Sequence, residues 1–586
     1  MFIDSRSVEE GTVVESTVCI IGGGVAGITL ALEMQKQHID TCLLESGGLK
    51  PDDETRDLYR GENVGVPYTF ADGSRSRFLG GSSNCWGGWC RPFDPWDFDK
   101  RDWVAHSGWP FGFEELQPYY ARTHALLKLG ENNFDPAYWE AAIGRADVRR
   151  FPLPSGQIRD TISQFSPPVR FGKLYRKDLE QSAHVRVFLH ANALNIDTDE
   201  DARCVTRVQV GTLSGRRFTV AAKLFILATG GIENARMLLV SNKIQAAGLG
   251  NGNDLVGRFF MDHPRLMSAS IRFKKPWTRN KLYDIKYHYQ NAAVAANGTH
   301  ISSQFALTHD VLKRERLLNS RVWFYSVFYG EGSAGAMALF RCKQALLQKD
   351  QPGWKLSADL ATMVAHPVHT VSFGLARFLQ PRALITDVKM QTIVEAEPNR
   401  DSRVTLSLQK DSLGLNRVKV NWQLTELVKR TFDRTVTLLS EELVRTGVAD
   451  IVPDPLLEGQ PWPAALEGTW HHMGTTRMHD SQKEGVVDRN CRVHGMANLY
   501  IAGSSVFPTV GANFPTTTIA ALALRLGAHI VQRLQTGATL TSINSGPVEQ
   551  AGTERQPAVE PAEATFPFAA SALGTAPNLA FPVRKK

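Results

Sequence analysis

Four apolar residues in succession, Val18-Cys19-Ile20-Ile21, run into Gly22-Gly23-Gly24-Val25-Ala26-Gly27. The unbroken apolar run predicts an interior parallel strand, and the glycines predict a tight turn into a helix. Gly22 permits the turn, Gly24 lets backbone approach a pyrophosphate, and Gly27 lets the helix pack closely on the strand. The helix start at Val25 and Ala26 would offer free N–H groups to phosphate. Thr41-Cys42-Leu43-Leu44 reads as a second strand, and Glu45 stands 18 residues past Gly27, the spacing of a carboxylate that binds ribose hydroxyls. An acid there disfavours a 2′-phosphate, so FAD or NAD fits better than NADP, and the short βαβ unit does not separate those two.

Strand-like alternation continues at Val185–Leu189 and Arg207–Val210, and Phe218-Thr219-Val220 leads to the run Lys223–Ala228, which ends in the turn Thr229-Gly230-Gly231. The chain thus returns to strand, glycine turn and helix, which predicts one cofactor domain completed around an insertion. From about Met267 to Leu456 come alternating segments and the aromatic cluster Arg321–Tyr329, with further strands at 390–395, 403–408 and 418–422. Leu424, Leu427, Val428, Phe432, Leu438, Leu439 and Leu443 follow at roughly helical spacing. The expected fold is α/β: a Rossmann-like dinucleotide-binding domain from 16–266 with 468–535, and a substrate domain, mainly 267–467, built on a large mixed or antiparallel β-sheet covered by helices. Residues 354–379 are apolar with few charges; a core-facing helix or lobe cover is expected ahead of a membrane- or partner-docking helix. From about Thr536 the chain is rich in Ala, Pro, Thr and Ser and is expected to be disordered.

A chain of 586 residues, 43% hydrophobic and 21% charged, has ample core for at least two lobes. Seven scattered cysteines without CxxC pairs favour a reduced compartment and give no metal site. The net charge of +7 is spread along the chain without a basic block, so no nucleic-acid partner is expected. No signal peptide or transmembrane run is visible; a cytoplasmic location is expected, with peripheral membrane association left open.

The chemistry-bearing segments are Gly80-Gly81-Ser82-Ser83-Asn84-Cys85-Trp86-Gly87-Gly88, His471-His472-Met473-Gly474-Thr475-Thr476-Arg477-Met478, Asn498–Thr509 and Gly511–Thr518. In this order, from about Ser16 to Leu534, they resemble the glucose-methanol-choline (GMC) oxidoreductases. The resemblance implies FAD as cofactor, with Ser46, Val187, Thr229, Gly230, Gly503, Ser504 and Thr516 among its neighbours beside the glycine loops. His471 matches the family's catalytic histidine. A hydroxyl must lose its proton as the carbinol carbon gives up hydride, and a neutral imidazole suits that task. His472 is expected to pack beside the base or orient it. Asn513 is the candidate second catalytic residue, although Phe514 takes that place if the register is kept without a gap. Cys85 stands where some relatives attach FAD to histidine, so dissociable FAD is expected, and His263 is expected to be structural. The pattern resembles most the sugar- and polyol-oxidising branch, implying oxidation of a sugar, glycoside or polyol hydroxyl, with oxygen, a quinone or a redox protein as acceptor. A non-sugar alcohol, a redox-silent lyase and an electron-transfer subunit are the alternative readings.

Overall fold

The computed structural model describes residues 1–68, 74–146, 148–167, 169–274, 281–285, 295–296, 298–348, 355–379, 382–454, 456 and 459–536. The Ala- and Pro-rich tail lies outside them. β1 (Val13–Ile21), α1 (Val25–Lys36) and β2 (Thr41–Leu44) make the βαβ unit. β1 is central in its sheet, with β2 parallel on one side and β3 (Arg217–Leu227) parallel on the other. Val18, Cys19 and Ile20 are fully buried; with both faces of the strand covered, no position favours a polar residue and the sequence loses its alternation. Val185–Leu189 and Phe2–Asp4 extend the sheet past β2, the antiparallel strands Val205–Gly211 and Asn192–Thr198 extend it past β3, and Leu499–Ile501 pairs with the end of β3. Register pairs Ile21 with both Leu44 and Leu227, and Leu227 with Ile501. Gly22, Glu45, Ala228 and Ala502 therefore leave the sheet along one carboxyl edge, where open α/β sheets bind ligands.

The second sheet is antiparallel throughout. Its centre is β4 (Pro264–Phe273), β5 (Ser320–Phe328) and β6 (Ile385–Val394), with β6 between the other two. Thr299–Leu307, Ile158–Phe165 and Trp89–Cys90 continue it beyond β5. Side chains alternate across a strand. Val322, Phe324 and Met390 are buried in one core with Val436, Leu439 and Leu443 of the helix Glu426–Arg445. Trp323, Tyr325 and Gln391 consequently face the other way, toward a cavity shared with the first sheet. α2 (Thr516–Gln535) closes the molecule by packing on α1.

Between β5 and β6 the helices Leu356–Ala365 and Pro367–Leu379 lie against the helix Ala334–Gln348. Only that side is covered, by Asp359 paired with Arg341 and by Phe373 and Ala376. The core-facing expectation fails on the opposite side, where Leu356, Leu360, Val364, Val368, Val371 and Leu375 are 46–78% exposed. These helices pack on one another rather than on the sheet, so one apolar stripe has no described neighbour layer. No helix among the described residues is long and apolar enough to cross a membrane.

Candidate active site

A cavity of about 390 Å³ runs from the carboxyl edge of the first sheet to the open face of the second. Gly22 adopts φ 110°, and a Cβ there would stand 2.6 Å from the Ala228 carbonyl oxygen, so the turn requires glycine. A Cβ on Gly27 would stand 1.9 Å from the Gly22 oxygen; this glycine does not line the cavity and serves helix–strand packing. Gly22, Gly24, Val25 and Ala26 do line it. α1 begins at Gly24 with no side-chain cap, so its first N–H groups face the cavity without an acceptor. Glu45, at the end of β2, accepts from Gly23 N at 2.9 Å and Gly47 N at 3.0 Å while burial raises its pKa. It braces the glycine turn and borders the cavity together with Ser46, whose hydroxyl accepts from Arg77 Nε at 2.7 Å.

Thr229, Gly230, Gly503, Ser504 and Thr516 border the same space. At Gly230 and Gly503 a Cβ would meet nothing within 4 Å. From the third glycine loop, Gly81, Ser82, Cys85, Trp86, Gly87 and Gly88 reach the cavity. Gly80 and Asn84 do not: Gly80 takes φ 105° at the bend, and Asn84 Nδ2 donates to Leu79 O at 3.1 Å, so both shape the loop. Burial raises the Cys85 pKa, keeping it a thiol at neutral pH. Val187 does not border the cavity. Its position in the strand between β2 and Phe2–Asp4 seals it at 0% exposure, and Ala191 and Ala193 from the following turn and strand reach the cavity instead. Arg75, Arg77 and Arg236 also border it, all paired with Glu233. Their signal was the Ser74-Arg75-Ser76-Arg77 run, whose charges are invisible as a cluster until Glu233 joins them.

At the far end His471 and His472 line the wall. Asp262 accepts from the backbone N–H of Trp470 at 2.8 Å and of His471 at 2.9 Å, from Thr469 Oγ1 at 2.7 Å, and from the Tyr68 hydroxyl. This hub holds Trp470 at φ 63°, a strained conformation for a bulky residue. His471 Nδ1 lies 2.9 Å from Thr469 Oγ1 and 3.0 Å from His263 Nδ1. Burial first, then His263 and Arg265, hold the His471 pKa well below the ordinary histidine value. His472 packs edge-on to Tyr68 and stacks on Phe260. Burial pushes its pKa down to about 3, and its Nε2 is sealed from solvent without a partner.

Asn513 does not border the cavity in this arrangement. Its Oδ1 accepts from Arg321 Nε at 3.0 Å and its Nδ2 donates to Pro92 O at 2.8 Å. The buried Arg321 guanidinium needs acceptors from both Asp94 and Asn513, so the amide turns away from the cavity. Phe514 takes the cavity position, its ring edge-on to His471 at 5.5 Å and stacked on Trp89 at 4.8 Å. Two polar groups that sequence reading missed face the same end. Gln391 accepts from Trp323 Nε1 at 2.9 Å, leaving its Nε2 with a 3.7 Å contact to Met267 Sδ. Arg265 pairs with Glu467 at 2.6 Å while its Nε is buried without a partner.

The uncapped helix start, the glycine walls open to the cavity and the orphaned His472 Nε2 fit FAD. Fold and cavity together suit an FAD-binding protein, and similarity to known proteins makes it an FAD-dependent oxidoreductase. A family model described as FAD dependent oxidoreductase matches residues 17–245, and one described as GMC oxidoreductase matches residues 398–523. The C-terminal segment is thus similar to that of the GMC oxidoreductases. It is 24% identical to 2-methyl-1,2-propanediol dehydrogenase of Mycolicibacterium austroafricanum, across 89% of this chain and 96% of that one. Identity to 6'''-hydroxyparomomycin C oxidase of Streptomyces lividus is also 24%, across 88% and 91%. The structure of pyridoxine 4-oxidase from Mesorbium loti shares the fold, with TM-score 0.52 and 17% identity over 88% of this chain and 99% of that one.

Proposed function

We propose that this enzyme oxidises a ring or secondary hydroxyl of a sugar, glycoside or polyol to a carbonyl, with His471 as the catalytic base. The observation that carries this reading is a neutral imidazole placed where the FAD cradle meets the aromatic face of the second sheet. Bound FAD supplies the two-electron acceptor for the hydride that leaves the carbinol carbon. His471 takes the hydroxyl proton; with its pKa held low by burial it is unprotonated at neutral pH and ready to accept. Phe514, Trp89 and Trp323 offer flat apolar walls to the C–H face of a ring or chain. Gln391 Nε2, held only by a long contact to Met267 Sδ, supplies a donor for a neighbouring oxygen, in the place Asn513 does not fill. The two relatives are named for a diol and a hydroxylated aminoglycoside, in keeping with a hydroxyl-bearing substrate. Residues 16–266 with 468–535 serve FAD, apart from substrate-lobe insertions such as Trp89–Cys90 and Ile158–Phe165 in the second sheet, and 267–467 mainly serve substrate. The cofactor is held without a covalent bond, since Cys85 is a protonated thiol.

The test is bleaching of the flavin band under anaerobic mixing with a panel of sugars, glycosides, polyols and simple alcohols, followed by oxygen or a soluble quinone to identify the acceptor. Bleaching by polyhydroxylated compounds supports the reading. A yellow enzyme that no alcohol bleaches overturns it and points to a lyase or an electron-transfer subunit.

A further inference from the structure

His263 was expected to be structural, and its surroundings give it a sharper task. The ring is completely buried, and its Nε2 lies 2.9 Å from the carbonyl oxygen of Gly511. A carbonyl only accepts, so Nε2 bears a hydrogen. Burial lowers the pKa of this ring, which leaves it neutral with a bare Nδ1. The group facing that Nδ1, at 3.0 Å, is Nδ1 of His471. Two bare nitrogens do not bond, so the hydrogen between them belongs to His471. Thr469 gives the same answer by a separate route. Its hydroxyl donates to the Asp262 carboxylate at 2.7 Å and is therefore an acceptor toward His471 Nδ1 at 2.9 Å.

We propose that His263 is a positioning residue that, with Thr469, locks His471 in the Nδ1–H tautomer and so leaves Nε2 as the base. His471 Nε2 has no hydrogen-bond partner among the described residues and belongs to a side chain that lines the cavity. In the reaction the substrate O–H bond breaks and an Nε2–H bond forms. The carbon's hydride leaves to FAD, and the new imidazolium keeps its Nδ1–H shared between His263 and Thr469. Asp262 behind Thr469 then faces the charge. The other charged or titratable groups acting on the pair are Glu395, Arg265 and His472. This inference rests on His471 being the base and adds which nitrogen acts and what fixes it.

The test compares anaerobic flavin-reduction rates against pH for holoenzyme carrying His263→Asn, His263→Leu or His263→Gln. Asparagine presents an oxygen near the place of Nδ1, so its reduction rate stays within about fivefold of wild type. Leucine keeps the packing but offers no acceptor, and a fall of about 10²-fold is expected, within the range for general-base groups. The alcohol's Kd should change less than about twofold, and the rise of rate with pH should move to lower pH, because a neutral His263 acts on the imidazolium as a hydrogen-bond acceptor and not as the like charge that would lower its pKa. Glutamine can still reach Gly511 but places no acceptor at Nδ1; it should behave like leucine and stands in if the leucine variant loses FAD. Equal rates for asparagine and leucine, or for asparagine and glutamine, overturn the proposal, as does an unmoved pH profile. His471→Ala run alongside separates the layers. Undiminished reduction there removes the base assignment itself, whereas its loss beside a wild-type-like leucine variant removes only the role of His263.

Discussion

Replacing Gly27 with alanine pits helix propensity against packing. In an exposed helix interior this change stabilises by about 1 kcal/mol. Here the new Cβ would stand 1.9 Å from Gly22 O and 3.1 Å from Gly22 C. Ordinary carbon contacts begin near ~3.5 Å, so α1 must move away from the end of β1 by roughly 1.5 Å. The contacted atoms are backbone and cannot swing aside as a flexible side chain would. Overpacking of this kind costs about 1–3 kcal/mol, which outweighs the propensity gain. The displaced part is the uncapped start of α1, so the loss falls on cofactor binding. If about 1.4 kcal/mol of it appears there, the FAD dissociation constant rises about tenfold. Titration of apoprotein with FAD, followed by flavin fluorescence quenching, reads that constant. Gly252→Ala is the control, because a Cβ there meets nothing within 4 Å. A Gly27→Ala protein with wild-type FAD affinity and unchanged thermal stability would refute the assignment of this glycine to close packing.

Asn513→Ala should leave Arg321 and Pro92 O short of partners and cost about 1–3 kcal/mol of stability. Loaded with FAD, this variant should be reduced within a few-fold of the wild-type rate, as stopped-flow would show; a fall of 10²-fold or more would return the residue to the catalytic set. For His472 the folded pKa, about 3, lies below the ordinary histidine value of about 6.5. The unfolded chain takes up the proton first as pH falls, so stability from neutral His472 is full above about pH 6.5 and is lost toward pH 3. Thermal denaturation across that range should show a slope that His472→Phe makes shallower, and identical slopes would contradict the assignment. Cys85→Ser should retain FAD, and acid precipitation of wild-type protein should release the yellow colour to the supernatant rather than leave it on the pellet.

The βαβ unit was legible because most of its determinants are local: an unbroken apolar strand, Gly27 packed on Gly22 five residues earlier, and Glu45 at the next strand end, whereas the crowding of Gly22 by Ala228 comes from a distant strand. The far side of the cavity was not. Alternation in β5 and β6 shows that Trp323 and Gln391 lie opposite Phe324 and Met390, but not which face meets helix and which meets cavity. Asn513 and Phe514 differ by one step in an irregular turn, and the choice between them falls to Arg321, 192 residues earlier. Val187 reads as a strand residue that could touch cofactor, yet the neighbouring strands bury it. His263 and His471 are 208 positions apart, so neither hydrogen-bond partner nor tautomer was visible in either segment. The stripe from Leu356 to Leu375 has helical spacing, and spacing alone does not say whether a partner layer exists.

The most direct measurement is the limiting rate of anaerobic flavin reduction by the best alcohol in His471→Ala, with FAD content and alcohol affinity determined on the same preparation. A fall of about 10²–10⁴-fold with full FAD loading, partly recovered as pH is raised and the alcohol ionises unaided, is predicted for the loss of a base. An alanine variant reduced as fast as wild type, with the same pH dependence, would contradict it.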